Sequence, residues 1–180
     1  KLADVQQILQ LLLREGVSIR PLAQILETLG EHAARSGDPT LLAEHVRRRL
    51  ARAISARYRD KHNRLHVITF EAGLERAIEE ALEHGPRGPG LRLLPQSIAA
   101  LCRRIAEATD EPLPEGRAPV LLVSPQVRAA VRQLTCAHLP RLVVLSYDEI
   151  TRDTQVEALA TIGAEALGSH VTGAARPAAA

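Results

Sequence analysis

Several places in this 180-residue chain set reactive or ligand-type side chains close together. Cys136 and His138 could form a thiolate–imidazole nucleophile pair. Residues two apart on a helix point away from each other, however, so a structural role is expected for both. Cys102 lies on an apolar stripe and reads as a small core residue. His62 and His66 have the i, i+4 spacing of a helical metal pair, but the spacing crosses an expected helix-to-strand boundary and no third ligand is near, so no metal is expected. The glycines of HGPRGPG, residues 84–90, suggest a phosphate cradle. Two prolines remove backbone donors there and a helix precedes, so the segment reads as an exposed loop. No general acid, base and nucleophile come together; no catalytic residue and no cofactor site is expected.

The run VRRRLARAISARYR sets Arg47, Arg48, Arg52 and Arg59, with Arg49 beside them, around the polar side of a helix. Such a stripe is either a solvated face or a contact for an acidic partner, an anionic surface or a neighbouring copy. The 23 basic and 21 acidic side chains leave a formal charge of only +2, too little for a dedicated polyanion binder. An aromatic fraction of 2% leaves almost nothing to stack on bases, so nucleic acid is not an expected partner. Two cysteines make neither a disulfide framework nor a metal quartet. No apolar run reaches the roughly 18–20 residues that span a bilayer. The chain opens without Met inside a helical pattern and is expected to be a piece of something longer.

Three helices should occupy residues 1–62. Leu2, Val5, Leu9 and Leu12 mark the first, ended by Gly16; Leu22, Ile25, Leu26, Leu29 and Ala33 mark the buried side of a second that opens near Pro21. Asp38 caps a third, with Pro39 at its first position, running to about Tyr58 along Leu42, Val46, Leu50 and Ile54. Short loops make antiparallel neighbours, hence a small helical bundle.

Residues 63–163 should form an α/β subdomain with one four-stranded mixed sheet. Leu65–Phe70 is the first strand, a helix follows from Glu71 to His84, and Pro95 opens another to Thr109. After an EPLPEGRAP linker, Val120–Val123 and Leu142–Leu145 are strand-length apolar runs. The helix between them, capped by Ser124 and opened by Pro125, shows an inward stripe of Val127, Val131, Leu134 and His138 beside Ala130. Such a crossover makes the two strands parallel and the connection right-handed. Alternation from Val156 to Ile162 marks a last strand, and residues 164–180 read as a flexible tail.

The residues VLLVSPQVR, LPRLVVLSYDEI and VEALATIG, preceded in order by LLREGVSIRPLAQILETL, DPTLLAEHVRRRLARAI, LHVITFEAGLE and LRLLPQSIAAL, resemble the type III secretion export-gate family (FlhA/SctV, or FHIPEP) over about residues 1–163. Pro21 stands where that family often has Asp, and Ala160 where it often has Gly. The resemblance implies the distal part of a large cytoplasmic domain whose full-length protein sits in the bacterial inner membrane. Residues 1–62 would be the ring-forming third subdomain and 63–163 the fourth. It implies a homo-oligomeric ring, usually nonameric, that docks chaperone–substrate complexes, meets other export-apparatus components and takes part in substrate switching. It also implies contact with the membrane only through the missing N-terminal domain. Arg20, Glu27, Arg48 and Arg52 are the candidate subunit-interface residues. The wording VSP and LSYDEI leans towards a virulence system, with a flagellar paralogue as the alternative. An α/β enzyme or a basic-helix nucleic-acid module are the readings from other classes.

Overall fold

In the computed structural model, residues 2–85, 88–109 and 118–168 are described. The amphipathic stripes of the N-terminal third fold into α1 (Leu2–Arg14), α2 (Leu22–His32), α3 (Pro39–Arg49) and α4 (Ala51–Tyr58). Asp38 caps α3 through its side chain, which accepts from the Thr40 N–H at 2.8 Å, and Pro39 occupies the first turn. The single third helix expected to Tyr58 is divided at Leu50, whose φ of −92° and ψ of 11° leave the helical region. Its N–H is shared between the carbonyls of Val46 and Arg47, tightening the joint. On α2 the buried side is Ile25, Thr28 and Leu29; Leu22 and Leu26, expected inside, are exposed. Helix α2 packs on α3, and that contact leaves Leu22 and Leu26 uncovered.

A turn at Asp60–Arg64 starts the second part. Asp60 accepts from the backbone N–H groups of His62 and Arg64, and Asn63 adopts a left-handed φ of 59°. Then come β1 (Arg64–Phe70), α5 (Ala72–Glu80), β2 (Leu82–Gly85), β3 (Gly88–Leu91), α6 (Pro95–Thr109), β4 (Val120–Val123), α7 (Pro125–Thr135), β5 (Val143–Ser146) and β6 (Gln155–Ile162). The four-stranded sheet has the order β5-β4-β1-β6. The expectation of a mixed sheet takes one correction: its three pairings are all parallel, and the antiparallel pairing among the described strands is the separate β2–β3 hairpin. That hairpin also replaces the end of the helix expected to reach His84 and part of the expected GPRGPG loop. A two-stranded ribbon leaves many N–H groups outside the ladder, so prolines are tolerated in it. The expected linker falls largely on residues 110–117, outside the described residues.

Strand alternation sends side chains to two cores. Leu65, Val67, Val120, Leu122 and Leu145 join Ile8, Leu12, Ile25, Val46 and Ile54 of the helical bundle. Ile68, Phe70, Leu121, Val123 and Val144 join Leu74 and Ile78 of α5, Leu101 and Ile105 of α6, and Val127 and Val131 of α7. Over β5, β4 and β1 the parallel sheet is therefore covered on both faces, as these Val- and Leu-rich strands require, whereas β6 is exposed along most of its length. Each fully buried Leu or Ile in these layers contributes about 1.5–3 kcal/mol relative to exposure.

Beyond β6, Ala164–Leu167 forms a 3-10 turn with Ala166 and Leu167 buried, so the chain stays packed past 163. The flexible tail expected from 164 thus begins with four ordered residues, and its part from 169 to 180 lies outside the described residues. Among the described residues no helix is long and apolar enough to cross a membrane.

Candidate functional site

Five charged side chains meet where the helical bundle wraps the β5 edge of the sheet. Arg128 on α7 is 1% exposed, and its guanidinium spans two carboxylates. It donates to Glu15 at 2.6 and 3.2 Å and to Glu44 Oε2 at 2.6 Å, with a further short bond to Glu44 Oε1. Arg47 on α3, 3% exposed, donates to Glu15 at 3.0 Å and lies 2.6 Å from Glu149. The Arg47 Nε–H is not aligned on Glu149 Oε1, so these two charges attract without a formed hydrogen bond. Glu149 is anchored independently: its other oxygen accepts the Ser146 N–H at 2.7 Å, and its carbonyl accepts from Ser55 of α4.

This cluster also closes a sheet edge. In β5 the outward carbonyl of Val144 accepts from Arg128 at 3.3 Å and from Arg47 at 3.5 Å; the preceding Leu142 carbonyl accepts from Arg132 at 2.9 Å. Backbone groups that could pair with a foreign strand are thereby occupied. Burial raises the Glu15 carboxyl, but Arg128 and Arg47 outweigh it and hold the group below its ordinary value. At Glu44 burial wins over Arg128 and the carboxyl is raised. Burial alone would lower Arg128, yet Glu44 and Glu15 raise it overall, so it stays charged. The cluster holds the two parts of the chain in one arrangement; it presents no nucleophile, and its members are engaged with one another.

Arg47, expected on the solvated stripe, is thus an interior residue. Arg48, the next residue, points outward at 58% exposure and pairs with Asp148 at 2.7 Å. Arg52 is exposed on α4, Glu27 is exposed on α2, and Arg20 is exposed in the α1–α2 connection, where its N–H donates to Ser18 Oγ. Among the described residues no hydrogen bond or ion pair joins Arg20, Glu27, Arg48 and Arg52 to one another. Sequence reasoning missed Arg128, Glu15, Glu44 and Glu149. A signal existed for Arg128, which sits between Val127 and Val131 on the apolar side of its helix.

The other sequence candidates separate. Helix α7 ends at Thr135, so Cys136 and His138 lie beyond it, both exposed, and the inward stripe expected to reach His138 stops short. Ser124 does not cap α7 with its side chain; its N–H instead donates to Glu75 of α5 at 2.8 Å. Cys102 is buried, which raises its thiol. His62 lies in the Asp60–Arg64 turn, while His66 on β1 sits 3.7 Å from Asp60 and 3.5 Å from Glu157. Among the described residues no three His, Cys, Asp or Glu side chains are grouped to hold a metal.

The FHIPEP family model matches residues 1–155 of the chain. The flagellar biosynthesis protein FlhA of Caulobacter vibrioides is 42% identical over 150 residues, covering 81% of this chain and 21% of the relative. FlhA of Yersinia enterocolitica is 41% identical over 165 residues, covering 90% and 23%. Among solved structures, the Chlamydia pneumoniae CdsV protein superposes with a TM-score of 0.80 at 30% identity, covering 88% of this chain and 46% of that one. The nonameric SctV-C of EPEC gives a TM-score of 0.77 at 26% identity, covering 88% and 48%. The chain thus spans less than a quarter of the length of these curated relatives and about half of these solved chains.

Proposed function

The chain belongs to the FHIPEP family, and we propose that it serves as the distal part of the cytoplasmic domain of a type III secretion export gate, in a ring of identical subunits. The observation that carries this reading is the agreement of family and fold: the family model covers residues 1–155, and the helical and α/β parts together superpose on a nonameric relative. A protein that works as a ring needs a rigid body and an exposed contact surface. The buried cluster around Arg128 supplies the first. The exposed face of the helical part, with Leu22, Leu26, Arg48 and Arg49 of α3 and Arg52 of α4, supplies the second.

In this reading residues 1–62 are the ring-forming subdomain and 63–163 the α/β subdomain, and the assembled ring docks chaperone–substrate complexes. Arg20, Glu27, Arg48 and Arg52 contribute to contacts between subunits. A flagellar export gate is the alternative reading, supported by FlhA relatives that are 41–42% identical over 81–90% of the chain.

Light scattering over a wide concentration range tests the ring. Mass rising toward a closed oligomer is the expected result, and a strict monomer at every concentration would overturn self-association of this part. The interface assignment is tested by R20E, E27K, R48E and R52E, each checked for an unchanged circular-dichroism spectrum. Assembly that survives all four reversals refutes it.

A further inference from the structure

A cleft of about 230 Å³ opens between the end of α1, the α3–α4 pair and the loop leading into β5. Its lining carries five guanidinium groups, from Arg14, Arg47, Arg57, Arg132 and Arg141, against one carboxylate, that of Glu15. The whole chain is only +2, so this concentration of charge is local. Glu15 is engaged mainly with Arg128 and Arg47, with a weaker attraction to Arg132. Arg57 donates to the Gly16 carbonyl and Arg132 to the Leu142 carbonyl, each a single bond from a group with five N–H donors. The side chains of Arg14 and Arg141, both exposed, make no hydrogen bond or ion pair among the described residues.

From this we infer that the cleft binds an acidic segment of a partner protein, taking Asp or Glu carboxylates between Arg14, Arg141 and the free donors of Arg57 and Arg132. Guanidinium groups grip carboxylates through paired, parallel hydrogen bonds, and concave walls focus their field. Between the arginines the lining is apolar, from Leu142, Val143 and the Tyr58 ring, which suits a segment alternating acidic and aliphatic residues. The volume falls below the roughly 300–1,000 Å³ of sites that enclose a cofactor-sized ligand, and it fits side chains projecting from a strand laid across the surface. The inference is separate from the interface assignment in its residues: none of Arg20, Glu27, Arg48 and Arg52 lines the cleft.

The test uses the full chain and a fluorescein-labelled peptide of alternating Glu and Leu, followed by anisotropy at low salt. Binding is expected, with affinity about tenfold weaker in the R14E/R141E double variant and falling with added salt. The R14A/R141A pair gives a second measure with less repulsion, and R103E, an exposed arginine on α6 away from the cleft, should leave binding unchanged. Circular dichroism confirms that each variant is folded. Binding insensitive to both pairs, equal binding by a Lys–Leu peptide, or equal loss in R103E would overturn the proposal. So would inorganic phosphate displacing the peptide at its own concentration, which would mark a small-anion site instead.

Discussion

Arg47 and Arg48 are consecutive in sequence and opposite in fate. Arg47 joins Arg128, Glu15, Glu44 and Glu149 in the buried cluster, while Arg48 pairs directly with Asp148 at the surface, both side chains 40% or more exposed. The same chemistry therefore does two jobs. Buried, a charge cannot be left without its partner, so the cluster fixes how the bundle sits on the sheet; exposed, the pair is screened and replaceable, which leaves that face available for contacts.

The contrast is broken most strongly at its centre. Arg128→Met should cost about 3–5 kcal/mol of unfolding free energy in urea titrations, because Glu44 and part of Glu15 lose their counter-charge in a dry site. Next comes Glu149→Gln, which can still accept the Ser146 N–H but no longer balances Arg47. A loss of about 1–3 kcal/mol is expected in the same titration.

An intermediate case is Asp60, whose carboxyl is held down at about 2, below the ordinary aspartate range, mainly by the Arg64 backbone N–H, with that of His62 and the Arg64 side chain helping. A depressed carboxylate stabilises the fold above its unfolded pKa and loses that stabilisation as pH falls through its folded one. Wild-type stability should therefore drop between about pH 4 and pH 2 by an amount that Asp60→Asn removes, as thermal melts across that range would register. The smallest effect belongs to Arg48→Ala, at most about 0.5 kcal/mol. A larger loss at Arg48 than at Glu149 would invert the comparison.

Much of the fold was readable because apolar periodicity and punctuation agreed. The Val and Leu runs at 120–123 and 142–145 became neighbouring parallel strands, and Asp38-Pro39 opened a helix. The charged cluster was not readable, since a sequence shows an arginine's helix face but not whether a carboxylate from another element will meet it. Arg47 lies in a run of three arginines, and only the tertiary meeting with Glu15, 32 residues away, takes it inside. Leu22 and Leu26 misled for the converse reason: helical spacing marks an apolar stripe without saying how wide a stripe the neighbours will cover. The break at Leu50 has no Pro or Gly to announce it. Of the candidate interface residues, their exposure could be read from the helix pattern, whereas the Asp148 partner of Arg48 comes from 100 positions later in the chain.

The strand order β5-β4-β1-β6 has a consequence for the growing chain. The earliest strand becomes an interior one, and its flank is closed by the latest. Thr69 of β1 meets Thr161 of β6 across 92 residues. At roughly 5–20 residues per second, a ribosome takes on the order of 5–18 s to deliver that second strand after the first. During that interval the edge of β1 that β6 will pair presents bare N–H and C=O groups. Synthesis from the N-terminus thus leaves that edge of β1 unpaired until β6 emerges.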